Sequence, residues 1–209
     1  IINDPVLLRV AADEIWLSLA DSDTGLWIKG VNYRAGLDVA IHEIDVAPVQ
    51  IQGPKSRPLM EKLFGEGIGS IKYYGLWKTK LGDLDVVVSR TGFSAEIGYE
   101  IYLLDATANA DALWDTVLEA GREFNLKVIA PSHIRRLEAG ILSYGQDMDI
   151  ETNPFEVGLE WQIDFSKTDF IGKAALEEIK RSGVTERLVG LRMGGAPLTW
   201  YNADFYPVG

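Results

Sequence analysis

The sequence predicts an α+β fold in which antiparallel sheets carry flanking helices. Three observations predict it. Short apolar runs with the two-residue alternation of strands are interspersed with amphipathic stretches of helical period. The strand-like runs recur as neighbouring pairs, as hairpins do. The strict strand–helix–strand rhythm of a doubly wound parallel sheet is missing.

Element by element, Val6–Val10 and Ile15–Leu19 read as adjacent strands joined by Ala11-Ala12-Asp13-Glu14. Asp21, Ser22 and Asp23 are N-cap candidates for a helix through Leu26, Trp27, Val31 and Tyr33, with Gly36 placed to end it. Val39–Ile44 and Val49–Gln52 alternate as strands. After Gly53-Pro54, helical spacing returns with Leu59, Met60, Leu63 and Phe64. Leu84–Arg90 and Tyr99–Leu104 are expected strands around the polar turn Thr91–Gly98. Leu113, Trp114, Val117 and Leu118 then mark one face of an amphipathic helix. Val128–Ala130 is expected as a short strand, and Ser132 caps a helix through Ile134, Leu137 and Ile141. Gln146–Pro154 is polar and reads as a long loop. A strand near Gly158–Ile163, a helix near Lys173–Arg181 and a strand near Arg187–Met193 follow. The chain starts at Ile1 without Met and stops at Gly209, and both ends are expected to be cuts through a longer structure.

Composition narrows the function. The 209 residues are 47% apolar and 24% charged, an ordinary globular balance rather than a disordered one. Zero Cys removes disulfides, thiolate zinc sites and iron–sulfur clusters, and two His leave little for a histidine metal site, so no metal is expected. Apolar runs stay short of the roughly 18 residues that a membrane span needs. A net charge of −11 with scattered Lys and Arg argues against nucleic-acid binding. The reading that remains is a soluble, cytoplasmic protein acting on small molecules.

Most candidate motifs are weak. Gly53, Gly65, Gly67 and Gly69 lack the order of a phosphate loop and read as turn glycines. Lys55-Ser56 opens a helix, where backbone N–H groups could hold an anion, though helix punctuation is the better reading. No GxSxG elbow or Ser/His/Asp set occurs. The acids of Asp147–Glu151 lack the ligand spacing of a calcium loop.

The informative stretch is Ser89–Tyr102. One strand delivers Arg90 to a glycine-containing turn, and the next leaves with Glu100 and Tyr102. Residues i and i+2 share a strand face, so a carboxylate and a phenol stand side by side. Trp16 and Ser18 are paired the same way on an earlier strand. A carboxylate beside aromatic rings suits a planar heterocycle with adjacent N–H groups. The plain alternative is a strand-face Glu100 paired with Arg90.

Several segments together carry a resemblance. They are Gln52-Gly53-Pro54-Lys55, Ser89–Glu100, Arg136-Leu137-Glu138-Ala139-Gly140, Tyr144-Gly145, Asn153-Pro154-Phe155-Glu156 with Leu159 and Trp161, and Asp169–Lys173. In order and spacing the chain resembles the tetrahydrofolate-dependent glycine-cleavage T-protein (aminomethyltransferase) family. Ile2–Val6, Ala20–Asp23, Ser143–Gly145 with Asp147-Met148, and Asn153–Glu156 look most like its dimethylsulfoniopropionate demethylase branch.

The resemblance implies a three-domain cloverleaf around a central folate hole. Residues 1–40 would end the second folate-binding subdomain and 41–155 would form the α+β core of the first. Residues 156–209 would start a C-terminal, β-rich, barrel-like domain. It implies tetrahydrofolate as cofactor and methyl acceptor, and a small-molecule methyl donor. Glu100 matches the glutamate that binds the pterin edge, and Trp161 and Trp16 match aromatic residues of the folate site. Arg90, beside the turn, is the accompanying cofactor-binding candidate. Ser18 and Tyr102 match positions lining the methyl-donor pocket, with Tyr102 and Asp4 as catalytic candidates.

One departure separates the branches. Glycine-cleavage enzymes carry two successive acids where this chain has Asp4-Pro5, and the second is the catalytic one. On a strand, a shift of one residue points a carboxylate the other way. Ser132 also stands where those enzymes have an arginine. Transfer from a sulfonium needs no such acid, because the sulfide leaves neutral and the protein has only to place methyl and nucleophile in line. The activity that the resemblance implies is therefore methyl transfer from a small donor, dimethylsulfoniopropionate, to N5 of tetrahydrofolate. The alternatives are a glycine-cleavage aminomethyltransferase serving a lipoyl carrier protein, an O- or N-demethylase relative, and a non-catalytic folate-binding protein. The last group carries a Lys-Gly-Cys motif, which a chain without Cys lacks.

Overall fold

A computed structural model describes residues 1–19, 23–192 and 194. The chain divides into two compact units, Ile1–Asn153 and Pro154–Gly209.

The first unit is built on a four-stranded antiparallel sheet. Its strands are β3 (Val46–Gln52), β4 (Leu76–Leu81), β5 (Leu84–Ser89) and β6 (Gly98–Leu104), in the order β3-β6-β5-β4. A two-stranded hairpin, β1 (Val6–Arg9) and β2 (Ile15–Ser18), precedes them and sets Leu8 opposite Trp16. The interior strand β6 is buried along almost its whole length, which its apolar run allows. β4 was not among the expected strands. Its Lys78 and Lys80 dilute the apolar signal, yet Gly82-Asp83 between two alternating runs is a two-residue hairpin loop, and Gly82 has the positive φ, 60°, that such turns require.

Strand alternation gives the sheet two different faces. One carries Ile51, Val86, Val88, Tyr99, Ile101 and Leu103, and packs against Leu59 and Met60 of α2 (Ser56–Phe64) and Leu113 and Val117 of α3 (Ala106–Gly121). This is the main core. The opposite face carries Gln50, Val87, Ser89, Glu100 and Tyr102. There Val87 and Tyr102 meet Leu8 and Val10 of the hairpin region, with Trp16 packed alongside. The polar candidate residues thus lie on the face that Tyr102 and Val87 share with the hairpin, and the helices pack on the other face.

Three further helices follow the expected pattern with shifted ends. α1 (Thr24–Ala35) stops at Gly36, whose φ of 64° is the left-handed turn that favours glycine. Asp23 precedes it without a side-chain cap, and Asp21 and Ser22 lie outside the described residues. α4 (His133–Glu138) is capped by Ser132, whose side chain accepts from the Arg135 N–H, and it ends before Ile141. In the second unit, α5 (Lys173–Ser182) accompanies an aromatic group in which Phe165 lies between Phe155 and Phe170, at ring distances of 6.5 and 6.4 Å.

Four expected strands are corrected. Val39–Ile44 and Val128–Ala130 form no strand, and Val128 and Ile129 stay 63% and 66% exposed. Gly158–Ile163 holds only a single 3-10 turn, Glu160–Gln162. Arg187–Arg192 forms no strand, its Leu188 N–H donating to the Glu156 carbonyl at 2.7 Å, and Met193 lies outside the described residues. An apolar run becomes a strand only when another strand takes its backbone groups, and among the described residues these four have no such strand beside them. No closed barrel is present among the described residues, while the α+β class with antiparallel sheets stands. No helix among them is long and apolar enough to cross a membrane.

Candidate functional site

A carboxylate in the middle of a buried strand needs an explanation, since burial of an unpaired charge is costly. Glu100 is 6% exposed at the centre of β6. The register places Gln50 of β3 directly across on one side and Ser89 of β5 on the other. Three side chains donate to the carboxylate. Gln50 Nε2 reaches Oε1 at 2.9 Å, Tyr102 OH reaches Oε2 at 3.2 Å, and Thr91 Oγ1 also donates to Oε2. Ser89 Oγ is hydrogen-bonded to Thr91 Oγ1 in turn. A carboxylate offers about four acceptor positions, so Oε2 is filled while Oε1 keeps one.

Tyr102 joins this network to an aromatic corner. Its ring lies 6.4 Å from that of Trp16, tilted by 60°, where the hairpin crosses β6. Trp16 is fixed from behind by its Nε1–H, which donates to Glu14 Oε1 at 2.8 Å. Burial, and then the Glu100 charge, push the Tyr102 phenol up to about 12, although hydrogen bonds from Ser18 and Ser89 act in the opposite direction. At neutral pH Tyr102 is therefore a neutral hydroxyl that donates. Ser18 belongs to the same group, at the end of β2.

The turn that carries Thr91 is held by Gln52. Its amide donates to the carbonyls of Thr91 and Tyr99 at 3.2 and 3.3 Å, and it accepts from Ser94 Oγ at 2.7 Å. A Cβ at Gly92 or at Gly98 would come within 2.3 Å of this amide. Both glycines serve close approach, and neither has a positive φ. Ser56 is spent in the same region, its hydroxyl donating to the Ile97 carbonyl at 2.8 Å. This ties the start of α2 to the turn before β6, and α2 has no side-chain cap.

The remaining candidates fall elsewhere. Arg90 does not pair with Glu100; its guanidinium donates to the Ile71 carbonyl at 3.3 Å. Together with Tyr73, Thr91, Gly92 and Ile141 it lines a cleft of about 420 Å³, and Thr91 is common to cleft and Glu100 network. Asp4 precedes β1 and keeps solvent contact, yet surrounding protein withholds hydration and raises its carboxyl above the ordinary value. Its charge is felt by Tyr74, whose phenol is raised chiefly by burial and by Tyr73. Trp161 lies in the second unit on the Glu160–Gln162 turn, 75% exposed. Asp147, from the acidic run, is not free for a ligand: it pairs with buried Arg136 and accepts from the Ser143 N–H at 2.8 Å. Among the described residues no three His, Cys, Asp or Glu side chains converge as a metal group.

The residues that sequence reasoning missed are Gln50, Gln52, Ser89 and Thr91. A signal existed. Gln50 and Gln52 alternate with Val49 and Ile51, so β3 has a polar face in phase with a neighbour that carries Glu100.

Comparison with known proteins agrees with this architecture. The family model described as the GCVT N-terminal domain matches residues 1–167. Dimethylsulfoniopropionate demethylase DmdA of Ruegeria pomeroyi is 39% identical over 194 residues, covering 93% of this chain and 53% of that protein. An aminomethyltransferase of Thermotoga maritima is 35% identical over 200 residues, covering 93% and 54% respectively. The chain thus spans about half the length of the curated relatives it matches. The crystal structure of glycine cleavage system aminomethyltransferase T from Bartonella henselae superposes with a TM-score of 0.71 at 22% identity, over 88% of this chain and 50% of that one, and shows the fold. The chain belongs to the glycine-cleavage T-protein (aminomethyltransferase) family, and residues 1–167 carry its GCVT N-terminal domain.

Proposed function

We propose that the protein containing this chain transfers a methyl group from a small sulfonium donor, dimethylsulfoniopropionate, to tetrahydrofolate. The observation that carries the reading is Glu100, an anionic acceptor 6% exposed, held by three donors with one acceptor position left open, beside the Trp16–Tyr102 corner. The open acceptor position fits a pterin, whose pyrimidine edge presents an N–H to a carboxylate. The 39% identity to a dimethylsulfoniopropionate demethylase supports the choice of methyl donor.

Each residue has a definite task. Glu100 binds the N–H edge, and Thr91 and Gln50 keep its carboxylate from rotating. Trp16 and Tyr102 present ring faces to the sulfonium, a cation–π attraction worth about 0.5–2 kcal/mol. Ser18 lines the same corner. Tyr102, neutral at working pH, also donates to Glu100 and so joins the two halves of the site. When bound, tetrahydrofolate supplies N5, whose lone pair takes the methyl carbon while the C–S electron pair stays on the sulfide and the N5 proton passes to solvent. Holding both reactants in line contributes up to roughly 7–11 kcal/mol, and no protein acid is called for.

One observation favours a second reading. The raised carboxyl of Asp4 has the character of a proton-transfer group, which aminomethyl transfer requires and sulfonium demethylation does not. The test uses the full-length protein under anaerobic conditions with tetrahydrofolate and dimethylsulfoniopropionate. Mass spectrometry is expected to find 5-methyltetrahydrofolate and the demethylated thioether in equal amounts, with Asp4→Asn retaining the rate. Absence of both products while tetrahydrofolate still binds would overturn the sulfonium donor and leave the aminomethyl donor standing.

A further inference from the structure

We infer that Gln50 is a specificity-determining residue of the Glu100 site, reading a lactam edge in the ligand: an N–H next to a C=O. The inference rests on the reading of Glu100 as the heterocycle-binding carboxylate and deepens it. The chemistry of the pair fixes the orientation of the Gln50 amide. A carboxylate oxygen only accepts, so the group 2.9 Å from Glu100 Oε1 is the Gln50 NH2 and not its carbonyl. That contact uses one N–H. Among the described residues the second N–H has no protein partner, and the Gln50 side chain is exposed on β3 beside the solvent-facing Pro48.

Glu100 offers a single open acceptor position, on the same Oε1 that Gln50 touches. The site therefore presents an acceptor on Glu100 next to a donor on Gln50. A heterocycle complements that order when a ring N–H adjoins a carbonyl, as in a 2-amino-4-oxopyrimidine. A 2,4-diaminopyrimidine puts an amino donor where the carbonyl was, and sets N–H against N–H. Without Gln50, Glu100 alone still finds an amino N–H on either edge, although the ring nitrogen of the diamino edge carries no hydrogen.

Calorimetry on the full-length protein tests this with folic acid and aminopterin, which differ in the 4-position group and the N3 hydrogen that goes with it, and with tetrahydrofolate as reference ligand. The wild type is expected to prefer folic acid. Gln50→Leu and Gln50→Met, both substitutions of an exposed side chain, are expected to lose roughly five- to tenfold of that preference, the value of one neutral hydrogen bond, while aminopterin binds no more weakly. Equal weakening of both ligands in both variants would overturn the inference and leave Gln50 as a support for Glu100. The underlying reading fails separately: tetrahydrofolate binding unaffected by Glu100→Gln would remove the carboxylate from the site, whatever the Gln50 variants do.

Discussion

Tyr102 does two jobs with two parts of one side chain. Its ring faces Trp16 and its hydroxyl donates to Glu100, so removing the oxygen alone separates them. Tyr102→Phe is expected to keep most of the affinity for the sulfonium and to weaken tetrahydrofolate binding by about 0.5–1.5 kcal/mol, whereas Tyr102→Ala harms methyl-donor use more than folate binding. Equal losses in both ligands for Tyr102→Ala would put the residue outside the donor pocket. Its acidity gives an independent check. A phenol raised to about 12 in the folded protein stays protonated when ordinary tyrosines ionise near 10, so an ultraviolet phenolate titration of Tyr102→Phe should lose the latest-titrating component. The linked stability is full below the unfolded value and is lost as pH rises through the folded one, and Tyr102→Phe should flatten that alkaline loss. Asp4 behaves differently. Its folded carboxyl is raised by burial, so folding penalises the ionised form at neutral pH and the penalty fades as pH falls through the folded value. Asp4→Asn is accordingly expected to raise the melting temperature at neutral pH, with the gap closing in acid. A gap that is constant with pH would contradict the burial cause.

The elements succeed or fail according to whether their information is local. α2, α3 and α5 were legible because apolar residues at helical spacing decide a helix without reference to distant chain. Strands need partners. Val39–Ile44 and Val128–Ala130 have strand composition and no pairing strand among the described residues, while β4, with two lysines, is a strand because β5 pairs with it. The site was legible in the same partial way. The pairs Glu100–Tyr102 and Trp16–Ser18 could be read from their own strands, and the roles expected of them came from the family resemblance. Gln50, Ser89 and Thr91 reach Glu100 only through register between strands or a fixed turn, which no single segment contains. The Gln52 amide that fixes this turn fills the space a Cβ would take at Gly92. Gly92→Ala alone is expected to destabilise by about 1–3 kcal/mol through overpacking, and clearly less once Gln52→Ala has emptied the space. Additive losses in urea unfolding would mean that the amide and the glycine are independent.

At the scale of the first unit, one sheet separates support from function. Helices seal one face with Leu59, Met60 and Leu113, and the hairpin covers the polar face through Leu8. Either Leu8→Ala or Leu113→Ala should cost about 2–5 kcal/mol of stability, as buried leucines do. Only Leu8→Ala, which loosens the hairpin bearing Trp16 and Ser18, is expected to weaken ligand binding in the protein that remains folded. The whole account converges on one carboxylate, and the most direct test is calorimetric titration of tetrahydrofolate into the full-length protein and its Glu100→Gln variant. The variant keeps shape and removes charge. A loss of about 1.5–3 kcal/mol, roughly ten- to more than a hundredfold in Kd, is the predicted result. An unchanged Kd in a folded variant would contradict it.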